Sequence, residues 1–477
     1  MGLLLILFPL VMAGLALILP SNRWRPLLLP VTALAHSTLT VWILLHPSER
    51  TYNESLILDP LGALILLSVT VLYLFSSFYA VGYLHQRMER NNRVFTSSFQ
   101  AFISLLSLAI WSHHLGLMWV AIEGTTLVTA PLIYFNHSPK SIEATWKYLL
   151  VGSVGIALAL LGTFFLAYSV SQGGEGTTLA LTDLLAAAPR MSPLWLKSAF
   201  ILLLVGYGTK MGLAPMHTWK PDAYGEAPGV VGALFAGGVT SGAFLALLRI
   251  YQIVNAAGQG AFASRLLIFM GLLSMATAGV FMINQRDFKR MLAYSSVEHM
   301  GILALGVGIG GLALWGSLLH VMTNAFTKGV LFLSAGNIHR AYKDKNTDAV
   351  QGAFRRLPVS SSLFLAGFLA ITGSPPFGPF VSEFSILNGA FSRGYFWSGG
   401  LFLLFLLIVF IGMGITVLKV IQGAVPSELS PSDYRDRLST VLPIVGFMAF
   451  VLLLGLYIPP FLSDMLQEAL KFLGSPL

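Results

Sequence analysis

Fourteen apolar runs, each close to the roughly 20 residues needed to cross a bilayer, can be drawn along this chain. They cover approximately residues 2–19, 27–45, 60–84, 95–112, 115–135, 147–169, 196–214, 229–252, 264–283, 291–309, 313–336, 359–390, 398–419 and 438–458. Only 10% of the 477 residues are charged, whereas soluble domains average about 25%. The pattern predicts an all-α polytopic membrane protein with about 14 transmembrane helices and no separate soluble domain. The opening run has neither a basic leader nor a small-residue cleavage site, so it is expected to be a first span rather than a signal peptide.

Most of the 28 Lys and Arg fall in alternate loops. One set includes Arg23, Arg25, Arg87, Arg90, Arg93, Lys140, Lys147, Lys220, Arg286, Lys289, Arg290, Arg340, Lys343 and Lys345. The opposite set is sparse and includes Arg190, Arg249 and Arg393. Such a bias orients the basic loops toward the cytoplasm and places both termini outside, as expected for a bacterial or archaeal cytoplasmic membrane. The net charge of +8 is thereby explained by topology and calls for no nucleic acid. Segment 171–193 is expected to be an outer loop, 337–358 a cytoplasmic loop suited to docking a partner, and the tail an interfacial segment.

The chain has no cysteine, which excludes disulfides, Cys-attached haem and Cys-ligated iron–sulfur clusters. No Rossmann or P-loop spacing occurs; GIGG at 308–311 reads as a turn. No cofactor or metal is therefore expected in this chain. The His113–His114 pair is weak evidence for a metal, and Asp59-Pro60 reads as a helix start.

Two runs are interrupted by proline beside a charge. In TKMGLAPMHTWKPDAYGEAP, Lys210 precedes Pro215; in GSPPFGPFVSEF, Glu383 follows Pro375, Pro376 and Pro379. A lysine at mid-membrane costs about 2.5–3.5 kcal/mol on insertion scales. A broken helix frees backbone groups that only protein or a watery cavity can satisfy. Paired breaks in two halves point to an internal repeat with its site at the breaks. Lys210 and Glu383 are 173 residues apart, and Glu123 and Glu298 are 175 apart. The expected divisions are 1–94, two repeats at 95–252 and 264–420, and a final part at 438–477.

Intramembrane charges are functional candidates by default. Glu123 and Lys210 are expected to form an exchangeable pair. His320, Asn324 and Lys328 recur every four residues and so share one helix face, which suggests a hydrated path rather than helix packing alone. Glu383 completes the proton-carrying set of Glu123, Lys210, His320, Lys328 and Glu383. Candidate uptake or relay residues are Glu298, His299, His217, Thr240, Ser241, Asn324 and Lys147. For His217, break-satisfying hydrogen bonding stands equally with a functional role. Lys147 either snorkels to the surface or faces Glu123.

Glu123 on span 5, the TKMGLAPMHTWKPDAYGEAP break, AYSSVEHMG on span 10 and the GSPPFGPFVSEF break together resemble the proton-translocating antiporter-like subunits of respiratory complex I (chains L, M and N), Mrp-type Na⁺/H⁺ antiporters and group 4 membrane-bound hydrogenases. AYSSVEHMG and Glu383 are most similar to component F of hydrogenase-4-type complexes. The resemblance implies inverted five-helix repeats over spans 4–8 and 9–13 with discontinuous helices 7 and 12. It also implies a central proton path in which Glu123 and Lys210 form the first half-channel, Lys328 is central and Glu383 is terminal. M- and N-type chains carry a lysine on span 8 where Ser241 stands, so the resemblance leaves water, Thr240 or Ser241 to bridge Lys210 and Lys328. The implied function is a proton-translocating subunit driven by a hydrogenase-type redox module, beside further antiporter-like membrane chains. Two rival readings are a gradient-driven Na⁺/H⁺ antiporter subunit and a membrane platform for a soluble enzyme such as an inorganic-carbon uptake protein.

Overall fold

The computed structural model describes all residues except 175, 177, 178, 426–433 and 475–477. Helices dominate: α1 (Gly2–Ile18), α2 (Leu28–Leu45), α3 (Pro60–His85), α4 (Arg93–Trp111), α5 (Leu115–Ile133), α6 (Pro139–Ser171), α7 (Leu181–Ala187), α8 (Pro193–Met211), α9 (Trp219–Glu226) and α10 (Gly229–Leu234). They continue as α11 (Thr240–Ala256), α12 (Gly260–Met282), α13 (Phe288–Ile309), α14 (Leu312–Tyr342), α15 (Ala353–Arg356), α16 (Pro358–Ile371), α17 (Gly378–Ser392), α18 (Phe396–Ile421), α19 (Leu438–Leu456) and α20 (Pro460–Phe472). Among the described residues, eleven helices are long and apolar enough to cross a membrane. The other three expected spans fall on α1, which is 17 residues long, on the interrupted pair α16 and α17, and on α14, whose 31 residues include the polar ridge.

Both predicted breaks are present. α8 ends where Gly212 turns left-handed at φ +84°, a conformation that costs other residues about 1–2 kcal/mol. α9 then starts only at Trp219. α16 gives way to α17 through Gly373, at φ +68°, and the 375–376 prolines. Lys210 lies at the end of the helix before its break, whereas Glu383 lies inside the helix after its break. Their matching spacing therefore does not put them at equivalent positions. Of the GIGG expected to form a turn at 308–311, Gly308 and Ile309 complete α13, and only Gly310 and Gly311, both at positive φ, turn the chain into α14.

Several local expectations need correction. A small antiparallel hairpin, β1 (Thr51–Asn53) with β2 (Leu56–Ile57), interrupts the all-α pattern. α7 occupies part of the expected outer loop. α6 starts eight residues before the apolar run because a Ser138–Ser141 capping box and Pro139 initiate it. α14 runs on to Tyr342 and shortens the following loop. The 235–239 stretch of span 8 is π-helical, a local widening often found at functional sites. The tail forms α20, whose Leu462, Leu466, Ala469 and Leu470 are buried.

α14 is the hub, packed against α3, α10, α13, α16, α17 and α19. Residues 229–254 and 291–309 are wholly buried, whereas α2 and α18 present much apolar surface outward. Four cations assigned to loops are buried instead: Arg25, Lys220, Arg249 and Lys289. Arg249 Nε pairs with Asp59 Oδ2 at 2.8 Å while its Nη atoms donate to the carbonyls of Ser112 (2.9 Å) and Ile110 (2.7 Å). Asp59 also caps α3 by accepting from Gly62 N at 2.6 Å. The helix-start reading was correct, and the residue additionally fastens α11 to the ends of α3 and α4. Arg25 similarly joins the end of α1 to α4 through Leu19 O and Asn92 Oδ1.

Candidate functional site

Three groups of buried polar side chains stand along the inside of the bundle. The first joins α5, α6 and α8. Glu123 Oε1 accepts from Ser153 Oγ and its Oε2 accepts from Thr126 Oγ1, both at 3.0 Å. Lys210 Nζ donates to the same Thr126 hydroxyl at 2.5 Å and to Tyr148 OH at 3.1 Å. Thr126 thus accepts from the ammonium and donates to the carboxylate. Glu123 and Lys210 make no direct ion pair among the described residues; this hydroxyl stands between them. The Tyr148 ring also lies under the ammonium, 5.1 Å from its centroid, and its OH meets Thr129 Oγ1 at 2.8 Å. Lys210 is fully buried, whereas Glu123 is only partly covered and borders the outer face of the bundle.

The second group centres on two neighbouring serines of α13. Lys220 Nζ donates to Ser296 Oγ at 3.0 Å, and Lys328 Nζ donates to Ser295 Oγ at 2.6 Å. One lysine comes from α9, just after the first break, and the other from α14. Lys220 reaches this place by crossing Gly212, where any Cβ would collide with its side chain. Lys220 thus approaches α13 at the serine next to the one that holds Lys328. Thr240 and Ser241 instead bond the carbonyls of Ala236 and Gly237, one turn back in their own helix, at 2.7 and 2.6 Å.

The third group joins α13, α14 and α17. His299 Nδ1 lies 2.9 Å from His320 Nε2, and His320 Nδ1 lies 2.8 Å from Ser382 Oγ. The Ser382 hydroxyl donates to Pro379 O at 2.9 Å, so it accepts from His320. That places the proton of His320 on Nδ1 and leaves its Nε2 to accept from His299 Nδ1. The remaining nitrogen of neutral His299, Nε2, then carries a lone pair 3.7 Å from Glu298 Oε2. Glu383 Oε1 stands 3.9 Å from His299 Nδ1. Glu298 Oε2, His299 Nε2, Glu383 Oε1 and Asn324 Oδ1 are all buried without a hydrogen-bond partner among the described residues. Unpaired buried polar atoms cost roughly 1–3 kcal/mol each, so the surroundings of the histidine pair carry unmet hydrogen-bonding capacity. His299, His320 and Glu383 each offer one ligand atom within 4.8 Å of the others.

The ridge of His320, Asn324 and Lys328 is thus present on α14, and His299 and Glu298 join it from α13. Lys147 does not join the interior: it is half-exposed and pairs with Glu143 at 2.6 Å and Asp222 at 3.0 Å. His217 sits at the first break near the Tyr294 and Phe281 rings, and its Nδ1 has no partner among the described residues. His114 caps α5, whereas both ring nitrogens of His113 are buried without a partner among the described residues. Sequence reasoning missed Thr126, Tyr148, Ser153, Lys220, Ser295, Ser296 and Ser382. The usable signal for Lys220 was its place directly after a Gly/Pro break, where the chain re-enters the bundle.

Residues 112–412 match the sequence profile described as NADH:quinone oxidoreductase/Mrp antiporter, TM. A hydrogenase-4 component F homolog of Methylacidiphilum infernorum (isolate V4) is 36% identical over 382 residues, which cover 79% of this chain and 78% of that protein. NADH-quinone oxidoreductase subunit N of Desulforudis audaxviator (strain MP104C) is 30% identical over 441 residues, covering 88% and 85% respectively. A Na(+)/H(+) antiporter subunit of Bacillus subtilis (strain 168) is 23% identical, covering 89% and 85%. Among solved structures, a chain of the Mrp complex from Dietzia sp. DQ12-45-1b superposes with a TM-score of 0.87 at 18% identity, over 98% of this chain and 96% of that one. A chain of respiratory complex I from Thermus thermophilus superposes with a TM-score of 0.84 at 22% identity, over 99% of each. At those identities the superpositions establish a shared fold.

Proposed function

Because this chain belongs to the NADH:quinone oxidoreductase/Mrp antiporter membrane family, we propose that it conducts protons across a bacterial or archaeal cytoplasmic membrane as one subunit of a redox-driven complex, with a hydrogenase-type module and further antiporter-like chains as partners. The chain itself supplies no redox group or cofactor. It crosses the bilayer fourteen times, with both termini outside, and its two five-helix halves at 95–252 and 264–420 are inverted repeats around the breaks.

The observation that supports this reading most is the succession of buried ionisable groups, each held to the next element by a hydroxyl or imidazole. Glu123 and Lys210 exchange through Thr126. Lys220 and Lys328 face each other from adjacent serines of α13. A proton given by Glu298 to His299 Nε2 releases the Nδ1 proton to His320 Nε2 or to Glu383. A change of charge in a neighbouring subunit near partly exposed Glu123 alters the hold on Lys210, and the displaced charge passes to Lys220, to Lys328 and then to the histidine pair.

Sodium transport is the second reading, prompted by the antiporter relative. Hard cations such as Na⁺ take oxygen ligands, by analogy with calcium and magnesium, whereas the central groups here are ammonium and imidazole nitrogens. That composition favours protons. An assembled Lys210→Ala complex should lose proton pumping while its redox partners remain bound; normal pumping by that complex would refute the reading.

A further inference from the structure

At the end of the bundle that carries the basic loops, a cavity of about 730 Å³ opens between the ends of α3 and α14 and the segment preceding α19. Its lining includes His85, Arg87, His339, Arg340, Lys343 and Arg437, against a single carboxylate, Glu89. Arg87 holds that carboxylate at 2.6 Å, so the cavity keeps an excess of positive charge. Arg340 is fixed in its wall, donating to Gln86 O and lying over the Tyr434 ring at 5.4 Å.

A second hollow, of about 560 Å³, continues from the first along α3 and α19. His85, Gln86 and Arg437 line both. Away from them the wall turns apolar through Phe75, Phe78, Leu438 and Leu442. Phe78, Leu438 and Leu442 are exposed, so this groove opens sideways, toward the hydrocarbon of the bilayer. From Phe75 to Gln86 it follows about 16 Å of helix axis at 1.5 Å per residue. At the junction, both side-chain polar atoms of Gln86 are buried without a partner among the described residues. The proton path uses none of these groups.

A cationic cavity joined end to end with an apolar groove open to lipid matches one ligand chemistry: an anionic head on an acyl chain. We propose that this is a binding site for an anionic phospholipid of the leaflet that faces the basic loops. Its phosphate sits among Arg340, Lys343 and Arg437 within reach of the Gln86 amide, and one acyl chain lies in the groove over Phe75 and Phe78. Basic pockets between transmembrane helices are suited to such heads, and the groove supplies the chain contact that free phosphate lacks. Because α3 and α14 border the site and α14 carries His320 and Lys328, a bound lipid braces the central helix at its basic end.

The test uses the full chain in its complex, extracted in mild detergent, stripped of lipid and titrated with vesicles of phosphatidylglycerol or phosphatidylcholine, with thermal unfolding and native mass spectrometry as readouts. Phosphatidylglycerol should bind at least tenfold more tightly than phosphatidylcholine. The Lys343→Gln/Arg437→Gln double variant should weaken phosphatidylglycerol roughly 25-fold, about fivefold for each cation at ~1 kcal/mol. Leu442→Trp, which fills the groove and leaves every charge in place, should also weaken it. Equal binding of the two lipids, unchanged affinity in both variants, the same stabilisation by inorganic phosphate alone, or a protein segment retained in the groove would each overturn the proposal.

Discussion

Thr126→Val keeps the side-chain volume and deletes the hydroxyl that stands between Lys210 and Glu123. Thr126 is fully buried, and valine fills the same space without new polar contacts. The hydroxyl bonds the ammonium at 2.5 Å and the carboxylate at 3.0 Å. Each charged group keeps one other bond, Lys210 to Tyr148 and Glu123 to Ser153. The substitution therefore removes the connection without stripping either charge. A hydrogen bond to a charged group is worth about 1.5–3 kcal/mol. If that interaction is needed at the transfer step, its loss slows transfer roughly 10- to 150-fold. The assay is dye-reported acidification of inverted vesicles containing the assembled complex, normalised to redox turnover. Thr126→Ser, which restores the hydroxyl, should return most of the rate. Wild-type proton transport by an assembled Thr126→Val complex would refute the argument that this hydroxyl couples the two charges.

Arg249→Leu leaves Asp59 and the carbonyls of Ile110 and Ser112 buried without their cation, so it should destabilise the chain by about 3–5 kcal/mol; thermal unfolding in detergent measures it, and the Asp59→Asn/Arg249→Leu double variant should lose less than the sum of the single changes. Gly212→Ala places a Cβ at φ +84° against the Lys220 side chain. It should lower proton transport while preserving assembly, as followed by vesicle acidification and by co-purification of the partner subunits.

Much of the architecture is legible in the chain because the bilayer imposes a length on each apolar run and makes proline breaks conspicuous. Lys210, Lys328, Glu298 and Glu383 stood out as charges within apolar surroundings, and the four-residue spacing of His320, Asn324 and Lys328 put them on one face. Lys220, Lys289 and Arg249 escaped because each lies near the end of an apolar run, where hydropathy alone reads a cation as a loop. Lys220 is buried only because α9 turns back into the bundle after Gly212. Lys289 is buried because it donates to the carbonyls of Gly225 and Ala227 beside that same re-entry. Hydroxyls carry even less signal. Thr126, Ser295 and Ser382 look like ordinary packing residues until the fold brings a lysine or histidine from another helix against them. Thr240 and Ser241 show the opposite case: conspicuous by position, they are occupied by their own helix.

Protons counted per redox turnover in an assembled complex carrying Lys220→Met show whether Lys220 carries charge between Lys210 and Lys328. Methionine fills much of the same space without the ammonium and interrupts the series between Lys210 and Lys328. Fewer protons per turnover are expected while the partner subunits continue electron transfer. An unchanged proton count would contradict that role, placing the proton path elsewhere in the complex.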